Sequence, residues 1–142
     1  MAATTTQRAI RDAVYQRLVT ILDQEHVWKC PRWDLPDGHL PALCVFSASD
    51  TPADAEADTQ EIHERDYTLR VVIQVNERTE DDATDLLADS VRAAILRAEW
   101  LGDAMSVRWT SQTWDGVEGG DPLSGTALDF TFRYTYDPNP EA

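Results

Sequence analysis

Two stretches of the chain alternate between apolar and polar residues. In residues 128–136, Leu128, Phe130, Phe132, Tyr134 and Tyr136 fall on one side of a period-two pattern, and Asp129, Thr131, Arg133 and Thr135 on the other. A helix would scatter these side chains around its circumference, so the pattern predicts a strand with one buried face. Residues 61–77 repeat the signal. Tyr67, Leu69, Val71, Ile73 and Val75 share one face, while Asp66, Arg70, Gln74 and Asn76 share the other, with Val72 as an apolar exception.

Two further stretches carry helical periodicity. In residues 4–23, Ile10, Val14, Leu18, Ile21 and Leu22 recur at spacings of three and four, behind a threonine run that supplies an N-cap. In residues 80–98, Ala83, Leu86, Leu87, Val91, Ala94, Ile95 and Ala98 form the stripe, Asp81 and Asp82 suit the positive end of the helix dipole, and Gly102 is a stop signal. Residues 42–47 predict a short buried strand around Leu43, Cys44 and Val45, and residues 104–114 predict a long strand that closes an antiparallel hairpin with the last one.

Between these elements the texture changes. Residues 26–41 hold Pro31, Pro36 and Pro41 with Trp28 and Trp33, and predict a turn-rich connection folded onto something apolar. Residues 49–60 read as a mobile acidic loop, residues 116–125 as a mobile hairpin tip and residues 137–142 as a tail. The resulting order is α-β-β-α-β-β. It predicts one α+β domain over residues 1–142, a mostly antiparallel sheet of about four strands with two helices on one face. The uncovered face would carry Arg70, Gln74, Asp129, Thr131, Arg133 and Thr135, open to solvent or to another subunit.

Composition narrows the function classes. Twelve Lys and Arg stand against 26 Asp and Glu, a formal net charge of -14. Tight phosphate binding needs clustered cations, so nucleic acid is disfavoured as a partner. No apolar run approaches the ~18 residues of a membrane span, and the N-terminal residues lack a secretory apolar region, which predicts a cytosolic site of synthesis with reduced thiols.

Candidate chemistry is sparse. Cys30, Cys44, His26, His39 and His63 show no paired metal-ligand spacing, so no metal or cofactor is expected. Cys44 sits inside an apolar strand, where a thiol is inert, and Cys30 lacks the setting of a nucleophile. The acids Asp81, Asp82 and Asp85 read as a solvated face. Gly116, Gly119 and Gly120 lie between strands beside Glu118 and Asp121, the wrong context for a phosphate cradle. No catalytic constellation emerges, and an enzyme is not expected. Trp100 and Trp109 are expected to finish the core, and Trp114, at a strand end, is a candidate contact residue.

The ordered features together resemble the tail terminator proteins of long-tailed bacteriophages, the group that includes the lambda-type minor tail protein U. The likeness runs over nearly the whole chain. It rests on the first helix with Ile10 to Leu22, the strand Leu40-Pro41-Ala42-Leu43-Cys44-Val45 after a proline-rich turn, and the acidic loop before Tyr67-Thr68-Leu69-Arg70-Val71-Val72-Ile73. It continues with the helix from Asp82 to Arg97 and the late hairpin ending in Ala127-Leu128-Asp129-Phe130-Thr131-Phe132-Arg133-Tyr134. The resemblance implies a structural virion protein that assembles as a ring, generally a hexamer, on the tail tube. There it ends tube polymerisation and offers a surface to the head–tail connector.

The protein would then act at the neck-proximal end of the virion tail, and wait in the host cytoplasm before assembly. Arg70, Gln74, Trp114, Asp115, Glu118, Asp129 and Arg133 would serve subunit or tube contacts. Asp50, Asp54, Glu56 and Asp58 would line a ring lumen or a docking loop. A head–tail joining (neck) protein is the alternative, followed by a cytosolic α+β ligand-binding domain.

Overall fold

A computed structural model describes residues 3–29, 41–53, 63–76, 81–97, 104, 106–115 and 123–136. Helix α1 (Ala3–Leu18) leads through a single 3-10 turn (Gln24–His26) into strand β1 (Val27–Trp28). Strand β2 (Ala42–Pro52), strand β3 (His63–Asn76), helix α2 (Asp81–Ile95), strand β4 (Ser106–Asp115) and strand β5 (Leu123–Tyr136) follow. The five strands form one sheet in the order β1-β2-β3-β5-β4. All pairings are antiparallel except β1 with β2, where Val27 meets Leu43 and Trp28 meets Cys44 in parallel. The α+β class stands. The expected four strands become five, and the sheet is mixed rather than wholly antiparallel.

The alternating residues sort as their period requires. Tyr67, Leu69, Val71, Ile73 and Val75 of β3 join Leu128, Phe130, Phe132 and Tyr134 of β5 in one apolar cluster. Leu43 and Val45 of β2 extend it, and the helices close it with Ile10, Val14 and Leu18 from α1 and Ala88, Val91 and Ile95 from α2. Fully burying a side chain of this size contributes about 1.5–3 kcal/mol, so this layer is the main source of stability.

The helices are shorter than their patterns. Helix α1 ends at Leu18, where the β-branched residues Val19, Thr20 and Ile21 lower helix propensity. The chain continues as turns, with the amides of Ile21 and Leu22 donating to the Leu18 carbonyl, and both side chains still pack on the core. In α2 the stripe runs through Thr84, Ala88, Val91 and Ile95. Leu86, expected on that stripe, is 69% exposed, because it lies on the opposite side of the helix.

Two strands are longer than expected and one was not foreseen. Trp28, expected in a loop, belongs to β1. Residues 49–52, expected in a mobile loop, continue β2: Ser49, Asp50, Thr51 and Pro52 pair with Thr68, Tyr67, Asp66 and Arg65. A bulge between Ser47 and Ser49 places Ala48 without a cross-strand partner, which bends the strand. Leu123, Ser124 and Gly125, expected in the hairpin tip, begin β5 opposite Asn76, Val75 and Gln74. Cys30, Trp33, His39, Trp100, Gly102 and the remainder of both loops lie outside the described residues, as does the tail at 137–142.

Candidate functional site

The sheet face away from the helices was expected to present charged residues outward. It does carry them, but they are tied to one another. Arg70 of β3 and Asp129 of β5 are cross-strand partners, and the guanidinium grips the carboxylate with two bonds, Nε to Oδ1 at 2.9 Å and a terminal nitrogen to Oδ2 at 3.1 Å. Ser111 of β4 donates to the same carboxylate at 3.2 Å. Two residues along, Thr131 stands between Thr68 and Thr110, at 2.9 and 3.2 Å. Two residues further, Asp66 of β3 receives Arg133 through two bonds at 3.1 and 3.3 Å and Arg108 of β4 through one at 3.2 Å.

The ladder follows from the register. Asp66, Thr68 and Arg70 alternate along β3, and antiparallel pairing sets them against Arg133, Thr131 and Asp129. Opposite charges therefore meet at both ends, with hydroxyls between. The Asp66 and Asp129 side chains are only 12% and 15% exposed, whereas Arg70 and Arg108 are 43% and 54% exposed. The face is thus a floor of carboxylates roofed by guanidinium groups. Burial pushes the Asp66 carboxyl up, but Arg133 and Arg108 outweigh that and hold it below the usual carboxylate range.

Farther toward Ala42 the same face turns apolar and closed. Cys44, Val72 and Gln74 are buried, with the Gln74 amide nitrogen 3.9 Å from the Cys44 sulfur. The thiol is buried, as its place in an apolar strand predicted. Gln74, expected as an exposed contact residue, is instead buried, beside the equally buried Ala42 and within reach of the Cys44 sulfur.

A second cluster sits where α1 meets the ends of β2, β3 and β5. Asp50 accepts from Gln7 at 2.5 Å, from the Tyr134 hydroxyl at 2.6 Å and from Arg65 Nε at 2.8 Å. Asp50 was expected in an acidic loop; here it is a half-buried acceptor that joins four elements. Burial and the adjacent Asp50 carboxylate push the Tyr134 hydroxyl up to about 12, against the smaller opposing influence of Gln7 and Arg65. Nearby, Tyr67 shares a 2.6 Å hydrogen bond with Ser47, and Arg11 donates to both.

At the open edge of the sheet, Trp109 occupies a register position opposite Phe130 but remains 43% exposed. It was expected in the core. As part of the edge strand β4 it stands beyond the helical cover, its indole donating to the Ser111 carbonyl and the Arg92 guanidinium lying 4.6 Å above its ring. Trp114 and Asp115 lie in β4 opposite Thr126 and Gly125; their side chains, and Asp54, Glu56, Asp58 and Glu118, fall outside the described residues.

Among the described residues, no group of three or more His, Cys, Asp or Glu is placed to hold a metal, and no helix is long and apolar enough to cross a membrane. The donors and acceptors of the ion-paired ladder are bonded to one another. The Asp66 carboxyl is held as an anion by two arginines, the opposite of a general acid.

No protein-family model and no curated protein matches the chain. Its fold does match a solved chain of the virion of a native gene transfer agent (GTA) particle, with a TM-score of 0.61 over 89% of this chain and 95% of that one, at 17% sequence identity. At that identity the likeness carries the fold: the two chains share one architecture over almost their full lengths.

Proposed function

We propose that this chain is a structural component of a phage-like virion that assembles as a ring on the end of the tail tube. The observation that carries this reading is the near full-length fold similarity to a chain of a gene transfer agent virion. The tail-terminator resemblance of the sequence points to the same class. In this role the ring ends tube growth and offers its outer surface to the head–tail connector, and no catalysis is required of it.

The arginine-roofed sheet face suits a contact surface. Its carboxylates are already paired and hold the guanidinium groups in place, so less side-chain freedom is lost when a partner docks. Pre-organisation of this kind lowers the cost of association. A head–tail joining role is the second reading, favoured by the same match, since the similar chain is part of a whole virion particle.

Electron microscopy of the purified protein with tail tubes tests the proposal. Rings seated on tube ends, and tubes that grow overlong when the protein is withheld, are the expected results. Tubes of normal length without it, together with rings bound to heads, would favour the joining role. A chain that binds neither tubes nor heads would sink both.

A further inference from the structure

An open cleft of about 610 Å³ lies between α1 and β2, lined by Arg8, Arg11, Asp12, Lys29, Phe46 and Ser47. In a chain of net charge -14, three cations here face one carboxylate. That carboxylate is engaged: Lys29 pairs with Asp12 at 3.1 Å while its ammonium also lies 4.5 Å from the Tyr15 ring centre. Arg11 is held by the hydroxyls of Ser47 and Tyr67, which orient its guanidinium without neutralising it. Arg8 is exposed on α1 and has no ion-pair partner among the described residues. The flanking edge of β2 is accessible, with Ser47, Ala48 and Ser49 all exposed, because β1 pairs only with Leu43 and Cys44.

We infer that this cleft receives a short acidic segment from a second copy of the chain. Charge complementarity calls for an acidic segment, and the longest cation-free stretch of the chain supplies one. Residues 33–64 contain no lysine or arginine, and Asp54, Glu56, Asp58, Glu61 and Glu64 crowd into its last part. Guanidinium forks match carboxylates bidentately. Two copies of like net charge repel at long range, but the Debye length of about 8 Å at physiological ionic strength confines that repulsion, so the local match decides at contact. Donor segment and acceptor cleft are different surfaces, so the contact is head-to-tail and propagates around a ring. The inference rests on the proposed self-assembling role and names the contact within it.

Salt does not isolate this contact, because added salt weakens both the local attraction and the global repulsion. A charge-swap experiment does. Sedimentation equilibrium at millimolar concentration compares the native chain, Arg8→Glu, and the triple variant Asp54→Arg/Glu56→Arg/Asp58→Arg, with thermal unfolding as a check on folding. Each variant alone is expected to self-associate at least tenfold more weakly than the native chain. An equimolar mixture of the two is expected to regain association, since the native cleft of the triple variant then meets the native acidic segment of Arg8→Glu, and the introduced glutamate meets the introduced arginines.

Native-like association of Arg8→Glu, or a mixture no stronger than its parts, overturns the inference. So does a native chain that stays monomeric at that concentration. Rings that still form on tubes with Arg8→Glu would leave the virion role standing and remove only this contact. Failure of the native chain to bind any tube would remove the role itself.

Discussion

The two faces of the sheet are built from the same strands by opposite means. On the helix side, Leu69, Val71, Phe130 and Phe132 are stabilised by exclusion of water, and any neighbour of similar shape would serve. On the far side, Asp66, Arg70, Asp129 and Arg133 are stabilised by particular partners at particular registers. The apolar face supplies most of the energy. The polar face supplies specificity, because sliding β5 by two residues against β3 would bring Asp66 opposite Thr131 or Thr135 in place of Arg133, and Asp129 opposite Thr68 or Val72 in place of Arg70, while leaving apolar side chains opposite one another. Register in the middle of the sheet is therefore fixed on the side that contributes less to stability.

This contrast can be broken at several points. Phe130→Ala, at the centre of the apolar face, should cost about 3–5 kcal/mol in chemical denaturation, as buried aromatic truncations do. A cost below about 1 kcal/mol would mean that the helix-side layer is not the stabilising one. Asp66→Asn should cost about 2 kcal/mol, since two guanidinium groups lose their shared anion, one of them half in water.

The same variant should flatten the acid limb of the stability curve. Asp66 is held below its ordinary 3.8, so its contribution is present above that pH and is lost as pH falls through the folded value. Urea midpoints of both proteins between neutral pH and pH 2 measure this. Parallel curves would argue against the pairing.

Tyr134→Phe addresses the alkaline side. A hydroxyl raised from 10.0 to about 12 keeps its proton longer in the folded state, so its contribution is full below pH 10 and is lost as pH climbs toward 12. The variant should show a shallower loss of stability over that window, and the native protein should release its last tyrosine proton late by ultraviolet titration. The smallest effect is expected from Arg70→Ala. Its side chain is 43% exposed, and screened pairs of this kind contribute less than about 1 kcal/mol. A loss above 2 kcal/mol would show the polar face to be more than a register device.

The strong alternation of β3 and β5 made the core readable from residues alone, and spacings of three and four did the same for both helices. What escaped was whatever depends on neighbours. Val27 and Trp28 form a strand too short to have a period, and only the adjacent β2 makes it one. Ser49 to Pro52 look like loop because their composition is polar, yet the length of β3 gives them a backbone partner at every position. The length of β3 was the available signal. Trp109 read as core because aromatic residues on the inner register usually are; its edge position, set by strand order, left it half uncovered.

The site was legible in part. Alternation places Arg70, Asp129 and Arg133 on one face, but their mutual pairing depends on the β3–β5 register, as does the place of Asp66 as the anchor of two arginines. Asp50 drew attention as one acid among many. Nothing in the local sequence marks it as the meeting point of Gln7, Arg65 and Tyr134, which are distant in the chain.

The strand order also sets a timetable. β5 is threaded between β3 and β4 although it follows both in sequence. Asn76 must wait for Leu123 and His63 for Tyr136, so the longest ladder closes only after residues 123–136 have left the ribosome. Until then β3 exposes one long edge rich in valine and isoleucine. During synthesis that edge is the hazardous surface of the molecule, and strand β5 is what retires it.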